Sequence, residues 1–197
     1  MLRLITCVVL AVSSSSFGQD LDGVCRLSSL GKQWSGVAIS GDRILTVAHH
    51  GLRPGDTIRA DFGIGSHGSF ERVSLKARLI KSDVRKDLSV LEYSMGSFAV
   101  KSYPIGQECR KGDVVLIAGY IHDDAMQLRC PLTSLDTEVD MIRVLEFRGQ
   151  GVSGMSGAPV LFDGCTAGVQ FGGDSTVINA VRVEAIVEFL EGVDDGA

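Results

Sequence analysis

Short hydrophobic runs alternate with polar residues along most of the chain, and glycine, aspartate, asparagine or proline separates one run from the next. In VSLKARLI, residues 73–80, every second residue from Val73 to Leu79 is apolar. Because successive side chains of a strand point to opposite faces, a spacing of two predicts a strand with one buried face. With 24 glycines and only 4 prolines between such runs, the pattern indicates an all-β protein.

The runs predict strands in two sets of six. The first set lies near residues 24–28, 35–40, 43–48, 57–62, 73–80 and 88–93. The second set lies near residues 114–120, 126–134, 141–147, 158–162, 166–171 and 176–181. A long, turn-rich segment at about 94–113 separates them, which is typical of a connector and not of a hairpin. The sequence therefore predicts two six-stranded antiparallel β-barrels, at about 22–93 and 114–190.

The end of the second set predicts a short C-terminal helix. In VRVEAIVEFL, Val183, Ile186, Val187 and Leu190 recur at helical spacing. This stripe favours an amphipathic helix packed on the second barrel.

The first 18 residues have the pattern of a secretory signal peptide. Arg3 precedes an apolar run at 4–12, and the small residues Ser16 and Gly18 lie before Gln19. A membrane anchor needs about 20 apolar residues, which is about twice the length of this run. We therefore expect a mature domain at 19–197, without a membrane anchor, in a secreted or periplasmic location.

Charge and cysteine content restrict the partners further. A formal net charge of −5 argues against nucleic acid as a partner. Cys25, Cys109, Cys130 and Cys165 follow the predicted signal peptide, and an even number in an oxidising compartment permits two disulfides in three connectivities. Of these we expect Cys25 with Cys109 and Cys130 with Cys165. Their wide spacing lacks the close pairs of a zinc site, so no metal or cofactor is predicted.

Three short motifs carry candidate chemistry. They are TVAHH at 46–50, DLSVL at 87–91 and GMSGAPV at 154–160. In this order they resemble the motifs of chymotrypsin-like (trypsin-like) serine proteases, a family whose chain order is His, Asp, Ser. The resemblance implies that His49 is the base, Asp87 the orienting acid and Ser156 the nucleophile. It also implies that the N–H groups of Gly154 and Ser156 form an oxyanion hole.

These residue types fit acyl transfer. A serine hydroxyl is scarcely ionised at neutral pH and needs a base within hydrogen-bond reach, and an imidazole with a pKa of about 6.5 can accept and return the proton. An aspartate fixes the imidazole tautomer and stabilises the imidazolium. Glycine at 154 permits the backbone geometry that aims two N–H groups at the oxyanion.

Several residues compete for these roles. Ser153 has the same flanking glycines as Ser156, but only Ser156 is followed by Gly-Ala-Pro, as in the family's nucleophile loop. We therefore place Ser153 on the wall beside the oxyanion loop. The remaining alternatives for the base and the acid are His50, His67, His122 and Asp83.

Three departures from the family pattern indicate which branch of the family the chain resembles. Met155 stands where zymogen-activated relatives have an aspartate, and no Ile-Val-Gly-Gly type segment follows the signal peptide. In many relatives a cysteine bonded across the histidine loop occupies the position of His50. The chain therefore resembles the compact bacterial-type branch without a PDZ domain, and its histidine loop must be held by other packing.

Substrate contacts are predicted from the same resemblance. Gln150 takes the place of the aspartate that binds basic side chains in trypsin-like relatives, so we expect no preference for Lys or Arg. GVQFGGD, at 168–174, should supply the strand edge that pairs with substrate and part of the pocket wall. The candidate substrate-binding residues are Gln150, Ser153, Gln170, Phe171, Gly172 and Gly173.

Three functions are compatible with these residues. The first is a monomeric serine endopeptidase acting on peptide or protein substrates. The second is a binding protein with a protease fold and a misaligned triad, and the third is an esterase or transferase that uses the same triad.

Overall fold

The computed structural model describes residues 22–64, 71–94, 100–106, 108–139, 142–191 and 193. The predicted signal peptide at 1–18 lies outside these ranges. Within them the chain forms two closed antiparallel barrels of six strands each, followed by one helix. The predicted double-barrel fold is thereby confirmed.

The first barrel consists of β1 Val24–Ser29, β2 Lys32–Ala38, β3 Arg43–Thr46, β4 Ile58–Ile64, β5 Glu71–Asp83 and β6 Leu88–Tyr93. The second consists of β7 Val114–Ile121, β8 Asp124–Val139, β9 Ile142–Arg148, β10 Pro159–Phe162, β11 Cys165–Gly173 and β12 Val177–Arg182. Helix α1 follows directly as Val183–Leu190. The barrels close by pairing β1 with β4 and β7 with β10.

Two strands are longer than predicted. β5 covers 13 residues and β8 covers 16, whereas the alternating pattern indicated 73–80 and 126–134. Irregularities in the pairing of β8 with β9, between Leu132 and Ser134 and again before Thr137, explain the difference. A bulge breaks the alternation of side chains but bends the strand so that it can continue around a barrel.

Helix α1 packs on β11 and β12, as expected, but with a different face. Val183, Ile186 and Phe189 are buried, whereas Val187 is 45% exposed. The predicted stripe through Val187 was therefore wrong. Because the helix has only eight residues and continues directly from β12, the exit of that strand fixes which side meets the sheet. Among the described residues no helix is long and apolar enough to cross a membrane.

The predicted disulfides are absent from the structure, because all four cysteines are free. Cys25 lies in the core of the first barrel, while Cys109 and Cys130 belong to a separate core inside the second. Cys130 lies on β8 and packs near Gly149, while Cys165 begins β11, and β7 and β10 lie between these two strands in the barrel. The expected Cys25–Cys109 pair therefore joins residues of two different cores, and the expected Cys130–Cys165 pair joins strands of the second barrel that are not neighbours.

A buried carboxylate organises the outer wall of the first barrel. Asp61 is 3% exposed and accepts hydrogen bonds from Ser74, Arg59 and Arg26, the last at 2.6 Å. Burial opposes ionisation, but these three donors outweigh it and hold the pKa of Asp61 below its ordinary value. Arg26 also pairs with Asp123 in the β7–β8 turn, so the network connects the barrels.

Replacing Asp61 by asparagine should lower the free energy of unfolding by about 2–4 kcal/mol at pH 7, because Arg26 would remain buried with a weakened partner. Since the folded-state pKa of Asp61 is depressed, its contribution is present above the ordinary carboxyl pKa and disappears as the pH falls through the lower folded value. Urea unfolding at pH 7 and at pH 3 measures both effects. The exposed Asp136→Asn is the matched control, and an equal loss in both variants would contradict the role of Asp61.

Candidate active site

His49 and Asp87 form a hydrogen-bonded pair between two turns of the first barrel. The His49 Nδ1 and Asp87 Oδ2 atoms lie 2.7 Å apart. The other carboxylate oxygen accepts the backbone N–H groups of Ala48 at 2.9 Å and His49 at 2.7 Å. Because a carboxylate only accepts hydrogen bonds, the imidazole proton lies on Nδ1 and Nε2 is left as an available base. This is the geometry required of a base and its orienting acid.

The turn before β6 presents Asp87 in this position. Asp87 is 8% exposed and has a φ of 51°, a left-handed conformation that aspartate tolerates better than most residues. Asp83, the alternative acid, instead accepts the N–H groups of Arg85 and Lys86 and closes the turn. The two aspartates therefore have separate tasks, one at each end of the same turn.

The other alternative histidines lie elsewhere. His122 is in the exposed β7–β8 turn, and His67 falls outside the described ranges. His50 follows His49 and its ring lies 4.5 Å from that of His49, but it does not contact the carboxylate of Asp87.

Ser35 connects the nucleophile loop to the strands that precede the histidine loop. Its N–H donates to the carbonyl of Ser156 at 2.8 Å, and its hydroxyl donates to the carbonyl of Gly154 at 3.2 Å. Its own carbonyl accepts the hydroxyl of Thr46 at 2.7 Å. Because Thr46 ends β3 three residues before His49, one buried serine positions elements of both barrels.

This close approach depends on Gly157. A Cβ atom on Gly157 would lie 2.0 Å from the carbonyl oxygen of Ser35 and 2.4 Å from the hydroxyl of Thr46. Gly157 also has a φ of 86°, which disfavours any residue with a side chain. The glycine that follows the candidate nucleophile is therefore required by packing as well as by backbone conformation.

The loop before Ser156 is held by its own turn and by apolar packing. The N–H of Met155 donates to the carbonyl of Val152 at 3.2 Å, and the Met155 side chain is fully buried in the second barrel core. Gly154 has a φ of 98°. Within the described part of the chain, the N–H groups of Gly154 and Ser156 have no acceptor, so both remain available to an oxyanion.

An aromatic stack supports the histidine loop. The rings of Trp34 and His50 lie 4.7 Å apart at an angle of 29°, and Trp34 is 1% exposed. Lys32 Nζ donates to the backbone carbonyl of His50 at 3.2 Å. Burial, followed by the charges of His49 and Lys32, lowers the pKa of His50 to about 4. The loop is thus held by packing of a neutral imidazole, as the missing cysteine led us to expect.

The candidate substrate-binding residues have different environments. Gln150 and Ser153 are exposed, and Phe171 is half-buried at a bulge in β11. A Cβ atom on Gly172 would meet nothing within 4 Å, whereas one on Gly173 would lie 2.4 Å from a backbone carbonyl. Gly172 therefore faces open space, while Gly173 is part of a tight turn.

Gln170 is directed inward and not toward solvent. It is 2% exposed and pairs across the sheet with Ala180, a residue of the second barrel core. Its Oε1 atom is buried with no hydrogen-bond partner among the described residues. A buried amide without a partner is uncommon and marks a point where a polar group can bind.

The two predicted pocket walls touch. The N–H of Gly151 donates to the carbonyl of Asp174 at 2.7 Å. A Cβ atom on Gly151 would lie only 3.0 Å from the backbone carbon of Gly173. The space between these walls is therefore closed where Gly151 meets Gly173 and Asp174.

Trp34, Ser35 and Thr46 were not identified from the sequence. Their only sequence signal is position, since Ser35 begins the strand predicted at 35–40, Trp34 directly precedes it and Thr46 opens the TVAHH motif. Their roles depend on partners far away in the chain. As for metals, the residues that the structure describes include no group of three or more His, Cys, Asp or Glu side chains able to hold an ion.

The double barrel and the composition of this site define a chymotrypsin-like class of protein. The model of the trypsin-like peptidase domain matches residues 34–168, which is more than half of the chain. The chain therefore belongs to the trypsin-like peptidase domain family. Comparison with curated proteins gave no significant match.

Solved structures share this fold at low sequence identity. Deg5 is similar with a TM-score of 0.72 and 18% identity, over 87% of this chain and 88% of that chain. An inactive serine-to-alanine mutant of Rv3671c from M. tuberculosis H37Rv has a TM-score of 0.71 and 18% identity, over 89% and 88% of the two chains. The HtrA-type protease AlgW with a tripeptide has a TM-score of 0.71 and 16% identity, over 89% and 61%.

Replacing His50 by phenylalanine should reduce the loss of unfolding free energy that occurs as the pH falls. In the unfolded chain the pKa of His50 has the ordinary histidine value of about 6.5, whereas in the folded chain it is about 4. Between these values the unfolded state binds more protons, so acidification lowers the free energy of unfolding. Phenylalanine keeps the stack on Trp34 without titrating.

Urea unfolding at a series of pH values between 7 and 4 measures this effect. Wild type should lose more stability than His50→Phe across that window, and the exposed His122→Gln should behave as wild type does. Parallel curves for wild type and His50→Phe would show that His50 is not held neutral.

Proposed function

We propose that this protein is a serine endopeptidase that hydrolyses peptide bonds with His49, Asp87 and Ser156. The observation that carries the proposal is the 2.7 Å contact between His49 Nδ1 and Asp87 Oδ2, which leaves His49 Nε2 as a base. The bonds of Ser35 to the loop that bears Ser156 support it, because they hold that loop against the β2–β3 pair. Membership of the peptidase family supports the reaction class.

In the proposed reaction, Ser156 Oγ attacks the carbonyl carbon of the scissile bond while its proton passes to His49 Nε2. The carbonyl oxygen becomes an oxyanion that accepts the N–H groups of Gly154 and Ser156. The imidazolium, stabilised by Asp87, then gives its proton to the leaving nitrogen, and the C–N bond breaks. Water, deprotonated by His49, attacks the resulting acyl-enzyme and releases the acid and the serine.

The proposed acyl-side residues lack a carboxylate that could bind a basic side chain. Gln170 contributes a buried neutral amide. Gln150 is exposed and supplies no charge either. We therefore propose that the enzyme does not prefer to cleave after Lys or Arg.

The proposed setting is outside the cytoplasm. The basic start, the apolar run and the small residues before Gln19 support export of the chain. Export would bring the domain to a secreted or periplasmic location, where it meets peptide or protein substrates.

Labelling with a fluorophosphonate should modify wild type at Ser156. Ser156→Ala should not label and should lose turnover by about four orders of magnitude or more, because the nucleophile is gone. Ser153→Ala keeps the nucleophile and should label, with at most a changed KM. Equal loss in both variants would contradict the assignment, and a folded wild type that never labels would favour the binding-protein alternative. Comparing casein with a simple ester separates a protease from an esterase.

Asp87→Asn should reduce kcat by about 10⁴-fold while the chain stays folded, because an amide can donate to His49 Nδ1 and so favours the tautomer that is not a base. Circular dichroism and kcat measured side by side provide the check. Asp83→Asn is the matched control at the other end of the turn, where only turn stability should change. A variant at position 87 with near-normal kcat would remove Asp87 from the mechanism.

A further inference from the structure

A cavity lies beside the candidate base, on the first barrel. It has a volume of about 240 Å³, and Lys32, Trp34, His50, Leu52, Arg53 and Asp56 are among the residues that line it. The ring of His50 lies 4.5 Å from that of His49. Trp34 precedes Ser35, whose N–H binds the carbonyl of Ser156. The cavity is therefore adjacent to both the base and the nucleophile loop.

The position of the cavity places it on the leaving-group side of a bound substrate. The predicted acyl-side residues, at 150–154 and 170–173, all belong to the second barrel. The leaving group must instead depart past His49, which gives it a proton. A peptide chain that continues beyond the scissile bond therefore passes over the first barrel, where this cavity opens.

The charges around the cavity favour an anion. Lys32 and Arg53 contribute two positive charges, and Asp56 contributes one negative charge. The Asp56 carboxylate accepts the backbone N–H of Arg53 at 2.8 Å, so one of its oxygens is already occupied. A local charge of +1 contrasts with the formal net charge of −5 for the chain. A local positive charge on a negatively charged protein favours binding of an anion over a cation at this place.

One unpartnered ring nitrogen, that of Trp34, favours the same class of ligand. Trp34 Nε1 and His50 Nε2 are both buried without a hydrogen-bond partner among the described residues. The indole nitrogen can only donate, so it requires an acceptor. This donor belongs to a residue of the cavity lining that also includes two cations, and N–H donors and cations are both suited to an oxygen anion.

We propose that this cavity is a subsite for a carboxylate on the leaving-group side of a peptide substrate. The inference rests on the proposed peptidase function and specifies which substrates that function prefers. The carboxylate belongs either to an Asp or Glu side chain close to the scissile bond or to the C-terminus of a short leaving group. Arg53 and Lys32 provide the charge, and the stack of Trp34 on His50 forms the wall.

Binding can be measured without catalysis, because Trp34 is the only tryptophan of the chain. Three peptides with the same acyl side are titrated into Ser156→Ala while tryptophan emission is recorded. Their leaving-group sides carry Glu with an amidated C-terminus, Gln with an amidated C-terminus, or Gln with a free C-terminal carboxylate. The first and third peptides distinguish the two sources of the carboxylate.

We expect at least one carboxylate peptide to change the Trp34 emission saturably and to bind about two- to fivefold more tightly than the neutral peptide for each cation engaged. Arg53→Gln and Lys32→Gln should each reduce that ratio. Lys76→Gln, which removes an exposed cation from β5, should leave it unchanged. Because each ratio compares two peptides on one variant, a general disturbance of the histidine loop cancels.

Hydrolysis by the enzyme with Ser156 intact gives an independent ratio of kcat/KM for the same peptides. Equal binding of all three peptides, or a ratio unaffected by both Arg53→Gln and Lys32→Gln, overturns the subsite even if every peptide is cleaved. Selective binding of a carboxylate peptide by a wild type that neither cleaves nor labels upholds the subsite and refutes the proposed peptidase function.

Discussion

The hydrogen bond from the Ser35 N–H to the carbonyl of Ser156 is the constraint on which the candidate active site depends. Ser35 lies in the first barrel and Ser156 in a loop of the second. This bond therefore determines how closely the candidate nucleophile loop approaches the first barrel. The Ser35 carbonyl also accepts the hydroxyl of Thr46, at the end of the strand that leads to His49. The candidate base and the candidate nucleophile are therefore connected through the buried backbone of Ser35, and Gly157 must lack a side chain to allow this approach.

Apolar packing replaces two devices that are often covalent or charged in relatives. The histidine loop is held by the stack of Trp34 on His50, and the nucleophile loop by Met155 in the second barrel core. His50 is half-buried in its stack, and this burial, followed by the charges of His49 and Lys32, lowers the pKa of His50 to about 4. Trp34 Nε1 and Gln170 Oε1 are also buried, and neither has a hydrogen-bond partner in the part of the chain that the structure describes. These atoms are where polar groups of a substrate would gain most from binding.

Most of the fold could be predicted because it depends on local alternation. The two sets of six strands follow from a spacing of two, which each strand carries by itself. The predictions failed where the structure depends on contacts between residues that are far apart in the sequence. Bulges lengthened β8, the exit of β12 turned Val187 outward, and barrel closure placed Cys25 and Cys109 in different cores. The inward direction of Gln170 depends on its register with Ala180, which no single strand reveals.

The sequence by itself determined the barrels, the residue types suited to acyl transfer and their order along the chain. It did so because strand periodicity and motif spacing are local properties. Asp87 contacts His49, as the resemblance to the protease motifs implied, but only the tertiary structure decided that Ser35 and Trp34 support the two candidate catalytic loops. These contacts join residues from different turns and different barrels. They form only when both sheets have closed and docked, and no local pattern encodes that event.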